Sequence, residues 1–204
     1  MRYKHAVTAL AITAGLALAG CSGDGDNTST DPGTTQSEVA EQSFNAADVY
    51  FAQQMIPHHR QAIEMSDLAA VRAENPEVRQ LAVDIAAAQG PEIQTMTGWL
   101  ESWGEDVPPD TADGGMDHSV HGGAPIDDMP GMMTTEEMDQ LEASTGTEFD
   151  QMFLTMMIAH HEGAIDMAAT EQTDGENADA VALAEEVETD QAAEIAEMQA
   201  LLSS

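Results

Sequence analysis

The chain has 204 residues, of which 38 are acidic and 5 are lysine or arginine, and its formal net charge at pH 7 is −33. A surface this negative repels polyanions, so the composition excludes nucleic acid and the headgroups of anionic membranes as binding partners. We interpret the acidity as a solvated surface typical of a salt-adapted or high-GC organism, with attraction of cations as the alternative.

The first twenty residues are predicted to be a signal peptide. Arg2 and Lys4 precede a run of small, mostly apolar residues over 6–19, which is too short to argue for a retained membrane span. The sequence Leu-Ala-Gly-Cys ending at Cys21 resembles a bacterial lipobox. It predicts an exported protein held by a lipid on Cys21 at the outer or periplasmic face of the cell membrane. An ordinary secretory signal with a chance cysteine is the alternative.

Cys21 is the only cysteine, so the mature chain can form no internal disulfide and no cysteine-based metal site. Any soft metal ligand must therefore be methionine or histidine. Residues 21–42 are almost entirely polar and cannot bury enough apolar surface to offset the entropy of ordering. We expect them to form a flexible tether, followed by one domain over 43–204.

An internal repeat spans most of this predicted domain. When residues 43–100 are compared with those 102 positions later, 18 of 58 positions are identical. The identical positions include both histidine pairs, His58-His59 and His160-His161. We assign the repeats to 43–102 and 145–204, which predicts one helical hairpin built twice.

Apolar residues at three- and four-residue steps predict two long helices in the first repeat. Ser43 is expected to cap a helix from about 44 to 72, and Asn75-Pro76 should open a second helix that ends near Ser102.

The repeats are joined by a predicted crossover loop over 104–133, which contains Pro-Pro, Gly-Gly and Pro-Gly pairs. Loops of that length are usually functional or disordered. Thr134 begins a capping box that predicts a short helix ending near Ser144.

In the second repeat, Thr145 or Thr147 should start the third long helix, which runs to about Thr173. Asn177 should cap the fourth, which ends near Leu202. Two hairpins joined by a long loop containing methionine and histidine predict an all-α fold, a four-helix bundle with its central layer built from all four helices.

The repeated histidine pairs are the first candidate site. Adjacent residues on a helix diverge by about 100°, so two neighbouring histidines rarely bind the same ion. We expect His58 and His160 to point inward with the apolar stripe. His59 and His161 should lie at the edge of the stripe and bond a carboxylate or complete a site from the side. Pro57, whose repeat counterpart is Ala159, should kink the first helix and make the two sites unequal.

Methionines flank each histidine pair at helical spacing, and a glutamate recurs on the following helix. Thioether and imidazole together suit Cu(I) better than Mg²⁺, Ca²⁺ or Mn²⁺, and the glutamates would orient imidazoles from a second layer. The structural alternative is that the methionines only fill the core, but a structural imidazole would need a partner for each nitrogen. The candidate ligands from this pattern, besides the histidines, are Met55, Met65, Met96, Met157, Met167 and Met198, with Glu92 and Glu194 as supporting carboxylates.

The crossover loop carries a second, weaker set of candidate metal ligands. Its glycine-rich composition with histidine and methionine is typical of exchangeable metal capture, and the alternative is a connector whose methionines pack onto the bundle. This set consists of Met116, His118, His121, Met129, Met132 and Met133.

Three segments resemble the bacterial family called domain of unknown function 305. They are Met-Ile-Pro-His-His with Ala-Ile-Glu-Met behind it, Pro-Gly-Met-Met-Thr-x-Glu-Glu-Met, and Phe-Asp-x-Met-Phe-Leu-x-Met-Met-Ile-x-His-His-Glu-Gly-Ala-Ile-Asp-Met. The resemblance covers about 43–202 and implies a ferritin-like four-helix bundle, often exported or lipid-anchored, in a family that includes copper-binding proteins linked to copper tolerance. Ala159 stands where the family commonly has proline. The resemblance implicates Met55, His58, His59, Met65, Met157, His160, His161 and Met167.

The sequence therefore predicts a non-enzymatic, lipid-anchored protein that binds copper, with Cu(I) favoured, for sequestration or for handover to a donor or acceptor protein. One alternative is a non-catalytic helical interaction module with structural histidines and methionines. A weaker alternative is a ferritin-like metal oxidase, but such bundles use Glu-x-x-His motifs and this chain has none.

Overall fold

The computed structural model describes residues 43–109 and 129–204, and within these ranges the chain is helical without strands. The all-α prediction is confirmed. The predicted signal peptide, the tether and the middle of the crossover loop lie outside the described residues. The helices are α1 (Ala46–Arg72), α2 (Pro76–Trp103), α3 (Thr135–Ala143), α4 (Gly146–Asp174) and α5 (Ala178–Leu202).

The first helix is capped by a different residue from the one predicted. Asn45, not Ser43, is the N-cap, and its side-chain oxygen accepts hydrogen bonds from the backbone N–H groups of Ala47 and Asp48. Asp48 completes a capping box by accepting from the Asn45 backbone N–H at 2.6 Å. Ser43 has the right chemistry but lies two residues too early, since a cap must stand immediately before the helix.

The other helix starts agree more closely with the sequence. Asn75 and Asn177 cap α2 and α5 with their side chains, and Thr134 forms the predicted capping box of α3. Thr145 precedes α4 but makes no side-chain capping bond. Helix α1 continues as one α-helix through Pro57.

The helices pack as two hairpins, α1 with α2 and α4 with α5, and the main contact between the hairpins is made by α1 with α4. Helices α1 and α4 cross in opposite directions, because Met55 shares a buried cluster with Ala168 and Met65 shares the other with Met157. This places the midpoints of α1 and α4, where the histidine pairs lie, against each other. The predicted helical bundle is confirmed.

Each hairpin also caps a helix of the other. Asp48 on α1 accepts hydrogen bonds from the backbone N–H groups of Glu176 and Asn177, at the start of α5. Asp150 on α4 accepts from those of Glu74 and Asn75, at the start of α2. The two carboxylates are repeat counterparts, so the crossed capping follows the internal symmetry.

Within 43–109 and 129–204, every helix is too short or too polar to cross a lipid bilayer.

Candidate metal centre

The two inward histidines meet at the crossing of α1 and α4. His58 and His160 are 0% and 1% exposed, and their ring centroids are 3.7 Å apart with an angle of 36° between the ring planes. The contact arises because each ring stands on the apolar stripe of its helix, three residues after a buried methionine. The structure thus brings together two imidazoles that are 102 residues apart in the sequence.

The second histidine of each pair contacts a glutamate on the other helix of its own hairpin. The Nε2 atom of His59 lies 2.5 Å from Glu92, and that of His161 lies 2.7 Å from Glu194. The expected bond of these histidines to a carboxylate is confirmed, and both rings are fully buried. Their carboxylate partners are partly exposed, and this lets the rings be buried while Nε2 of each ring has a hydrogen-bond partner.

In three of the four rings, a hydrogen bond occupies Nε2 and leaves Nδ1 without a partner. The Glu92 and Glu194 carboxylates and the Pro130 carbonyl, which lies 3.1 Å from Nε2 of His58, are acceptors, so Nε2 carries the proton in each case. The Nδ1 atoms of these rings are buried and have no hydrogen-bond partner. In His160 neither nitrogen has a partner with full hydrogen-bond geometry, although the His58 backbone is near enough to act on the pKa of this ring, in the direction opposite to burial.

The central pair is held in the uncharged state. Burial, with a smaller contribution from the neighbouring His59, lowers the pKa of His58 to about 3, although the Pro130 carbonyl acts in the opposite direction. Burial and the contact with His58 also lower the pKa of His160 well below its usual value. Both rings are therefore neutral at pH 7 and offer nitrogen lone pairs to the core.

The predicted methionine ligands are divided between two buried clusters, each of which combines both repeats. The two clusters lie on either side of the histidine crossing, since Met55 precedes His58 by one turn and Met65 follows it by two. The clusters contain Met65, Met157 and Met198 on one side, and Met55, Met96 and Met167 on the other.

The end of the crossover loop, Met129–Met133, lies over the histidine pair, and we call this segment the strap. The Pro130 carbonyl contacts His58, and the side chain of Gln61 pairs with both backbone groups of Met133, at 2.8 Å and 2.7 Å. Met129 is 5% exposed and Met132 and Met133 are partly buried. The weaker candidates Met116, His118 and His121 lie outside the described residues.

No group of three or more histidine, cysteine, aspartate or glutamate side chains is arranged to hold a metal ion in the part of the chain that the structure describes. A complete site at the histidine crossing would therefore need thioether sulfur in addition to imidazole nitrogen. Uncharged nitrogen and sulfur donors suit a soft monovalent ion such as Cu(I).

Sequence reasoning missed two residues that position the strap. Gly163 lies on α4 where a Cβ atom would be 2.1 Å from the Pro130 oxygen, and its repeat counterpart on α1 is Gln61. The sequence did carry a signal for this contact, because the second repeat has a glycine inside a helix at the position where the first repeat has a glutamine. It marks a close approach of another backbone to α4.

Solved structures resemble this fold over most of the chain. A DUF305 protein of Streptomyces coelicolor, described as secreted, is 33% identical, with a TM-score of 0.64 and coverage of 77% of this chain and 91% of that one. A DUF305 fragment from Deinococcus radiodurans is 26% identical, with a TM-score of 0.66 and coverage of 78% and 97%.

A third similar structure is CopM. Its Cu(I)-bound form is 29% identical, with a TM-score of 0.61 and coverage of 76% of this chain and 95% of that one. Its Cu(II)-bound form is 30% identical, with a TM-score of 0.62 and the same coverage. No curated protein sequence matches.

The family model described as "Domain of unknown function (DUF305)" matches residues 48–202. This range contains both histidine pairs, both crossed caps and the strap. The chain belongs to the DUF305 family.

Proposed function

We propose that this protein binds copper at the crossing of α1 and α4 and serves in copper sequestration or handover outside the cytoplasm. The observation that carries the proposal is the facing pair His58 and His160, which are buried, neutral and without hydrogen-bond partners at Nδ1. Leaving a buried polar atom unpaired costs about 1–3 kcal/mol. A bound metal ion would use these lone pairs and offset that cost.

The surrounding residues fit copper better than a harder ion. Nδ1 of His58, Nδ1 or Nε2 of His160 and the sulfurs of the flanking methionines would hold the ion, and all of these donors are uncharged. Glu92 and Glu194 would orient His59 and His161 in the way that carboxylates orient metal-binding imidazoles. The similarity to CopM, solved with Cu(I), with Cu(II) and with silver, also supports copper as the bound ion.

An anaerobic titration tests the proposal. The mature protein competes for Cu(I) with a chromophoric chelator, and we expect it to withdraw copper, whereas His58→Ala/His160→Ala should lose most of this capacity. The matched control is Val71→Ala/Thr173→Ala, a repeat-related pair of exposed residues near the ends of α1 and α4, which should behave like the unmodified protein.

Two results would count against this site. If the unmodified protein withdraws no copper, the copper proposal fails and a helical interaction module with structural histidines is favoured. If the double histidine variant binds as tightly as the unmodified protein, binding belongs elsewhere. The loop set Met116, His118 and His121 is then the first alternative. Repeating the titration aerobically with Cu(II) distinguishes the two oxidation states.

We also propose that the protein is exported and anchored through a lipid on Cys21. The lipobox-like sequence supports this, as does the similarity to a DUF305 protein described as secreted. Cys21→Ala should move the protein from the membrane fraction to the soluble fraction of cells, whereas Ser22→Ala should not. Membrane association of the Cys21→Ala variant would contradict the anchor.

The arrangement favours storage or transfer over catalysis. A ferritin-like oxidase needs several carboxylates in one metal site, and no such group occurs within 43–109 and 129–204.

A further inference from the structure

We propose that the strap, Met129–Met133, sets which nitrogen of His58 is free and controls how fast metal enters and leaves the histidine crossing. Gln61 and Gly163 are the positioning residues that hold the strap in place. This inference rests on the proposed function, because it concerns the same two histidines.

The first step is the contact of the strap with His58. The Pro130 carbonyl accepts a hydrogen bond from Nε2, so the proton of the neutral ring is on Nε2 and the lone pair is on Nδ1. A strap that moved away would leave both nitrogens without partners, and the tautomer would no longer be fixed. The docked strap therefore presents Nδ1 to a metal ion and keeps Nε2 from binding one.

The second step is the fit of the strap against α4. Gly131 has a φ of +75°, and a Cβ atom there would lie 2.6 Å from the Ala159 carbonyl oxygen. A Cβ atom at Gly163 would lie 2.1 Å from the Pro130 oxygen. Both positions need glycine for this close approach, and Gly131 also needs it for its backbone conformation.

The third step is the attachment of the strap to α1. The Gln61 side-chain amide donates to the Met133 carbonyl and its oxygen accepts from the Met133 N–H, so one side chain satisfies both backbone groups of that residue. Since α1 and α4 cross at the histidines, a strap fixed to both helices covers the crossing from one side.

The fourth step is the route that the metal ion would take to the histidine crossing, beside the strap. A cavity of about 210 Å³ is lined by Met129 and Pro130 of the strap and by Gln54, Met167 and Glu171 of the two helices. Met129 and Met167 both line this cavity, and thioether sulfur is a donor that suits a soft metal ion. We therefore expect displacement of the strap to open the histidine crossing toward this cavity.

Two variants release the strap in different ways. Gly163→Ala places a methyl group where the Pro130 carbonyl now lies, and Gln61→Leu removes both hydrogen bonds to Met133 without adding a clash. The matched controls are Gly98→Ala, a helix glycine with nothing within 4 Å of an added Cβ, and Gln80→Leu, an exposed glutamine on α2. Circular dichroism verifies that all four variants remain helical.

The rate of Cu(I) transfer from the loaded protein to a chelator is the first measurement. The loss of two hydrogen bonds should raise it roughly tenfold in Gln61→Leu, with a similar or larger rise in Gly163→Ala and no change in the controls. The second measurement is the tautomer of His58 by ¹⁵N NMR of the metal-free protein. We expect Nε2–H in the unmodified protein and a mixture of tautomers in both strap variants.

Unchanged transfer rates and an unchanged His58 tautomer in both strap variants would overturn the inference while leaving copper binding intact. A protein that takes up no copper at all would overturn the proposed function, and control of metal exchange by the strap would fail with it. The His58 tautomer distinguishes the two failures, because it reports on strap docking without metal.

Discussion

The histidines at the crossing of α1 and α4 are distinguished by what their nitrogens contact. Three rings use Nε2 as a donor and leave Nδ1 without a partner, and His160 leaves both nitrogens without one. A stable core satisfies nearly all its buried polar groups. The unpartnered histidine nitrogens at the crossing recur in both repeats, and the copper binding proposed above would provide them with a partner.

The two supporting glutamates give a prediction for individual residues. Glu92→Gln/Glu194→Gln replaces each carboxylate with an amide of the same shape, which weakens the bonds to His59 and His161. We expect the Cu(I) affinity in the chelator competition to fall by roughly 10–100-fold. Glu101→Gln, an exposed change on α2, is the control. Equal affinities in the two variants would contradict a supporting role.

Glu171 gives a second prediction, which concerns pH. Its side chain is 1% exposed, and burial, together with the adjacent Asp48, raises its pKa to about 8 from the usual 4.5. Because the folded-state pKa is the higher one, the protonated carboxyl stabilises the fold fully below about pH 4.5, and this contribution is lost as the pH rises through about 8.

Glu171→Gln should remove this pH dependence, because the amide does not ionise. We expect the free energy of unfolding of the variant, relative to the unmodified protein, to increase between about pH 5 and about pH 9. Urea denaturation across this range measures it, and the exposed change Glu186→Gln on α5 is the control. If the difference in the free energy of unfolding were the same at every pH, burial would not raise the pKa of Glu171.

At the level of helices, the sequence predicted the elements well because their signals are local. The apolar stripes and the caps Asn75 and Asn177 depend only on neighbouring residues, and the helix limits fall within about two residues of those predicted. The cap of α1 was misassigned because two cap-forming residues, Ser43 and Asn45, stand close together. Only the backbone shows which one precedes the first turn.

The crossed caps give a prediction at the same scale. Asp150 uses one carboxylate oxygen for the N–H of Glu74 and the other for that of Asn75. Asp150→Asn retains only one acceptor, so a backbone N–H at the start of α2 loses its partner. We expect the free energy of unfolding to fall by about 1–3 kcal/mol, measured by urea denaturation. Asp139→Asn on the exposed side of α3 should have no comparable effect.

Asp48 makes the same contact at the start of α5 and provides an independent test of the crossed capping. Burial by itself would raise the pKa of Asp48, but hydrogen bonds from Asn45, Glu171, Asn177 and Glu176 lower it below its usual value. The stabilisation from this carboxylate is therefore present at neutral pH and is lost as the pH falls through the lowered pKa. Asp48→Asn should destabilise the fold at pH 7 and make little difference in acid. Equal destabilisation at both pH values would contradict this.

At the level of the whole molecule, the net charge of −33 should oppose folding through repulsion. Added salt shortens the screening length from about 10 Å at 0.1 M to about 3 Å at 1 M. We expect Tm to rise with salt, by about 2–4 °C for each kcal/mol of relieved repulsion. Sodium and potassium chloride should act equally if screening is the cause. A flat response, or a rise with only one cation, would contradict general screening.

The sequence alone determined the duplication, the helices, the family and the histidine and methionine candidates. These follow from spacing along the chain, and an unbroken offset of 102 residues makes the repeat readable without a structure. The loop set could not be judged in the same way, because glycine-rich sequence with scattered histidines carries no helical period to place it.

Only the tertiary structure decided what His58 and His160 contact, whereas the carboxylate partners of His59 and His161 were predicted from the sequence. The opposite crossing of α1 and α4 places His58 on His160, and the strap reaches His58 from 72 residues away along the chain. Asp48 caps a helix whose first residues lie about 129 positions later. Such contacts depend on how the two hairpins pack against each other, and the spacing of residues along one helix carries no information about that packing. The inward direction of His58 and His160 was readable from the sequence, whereas their free nitrogens were not.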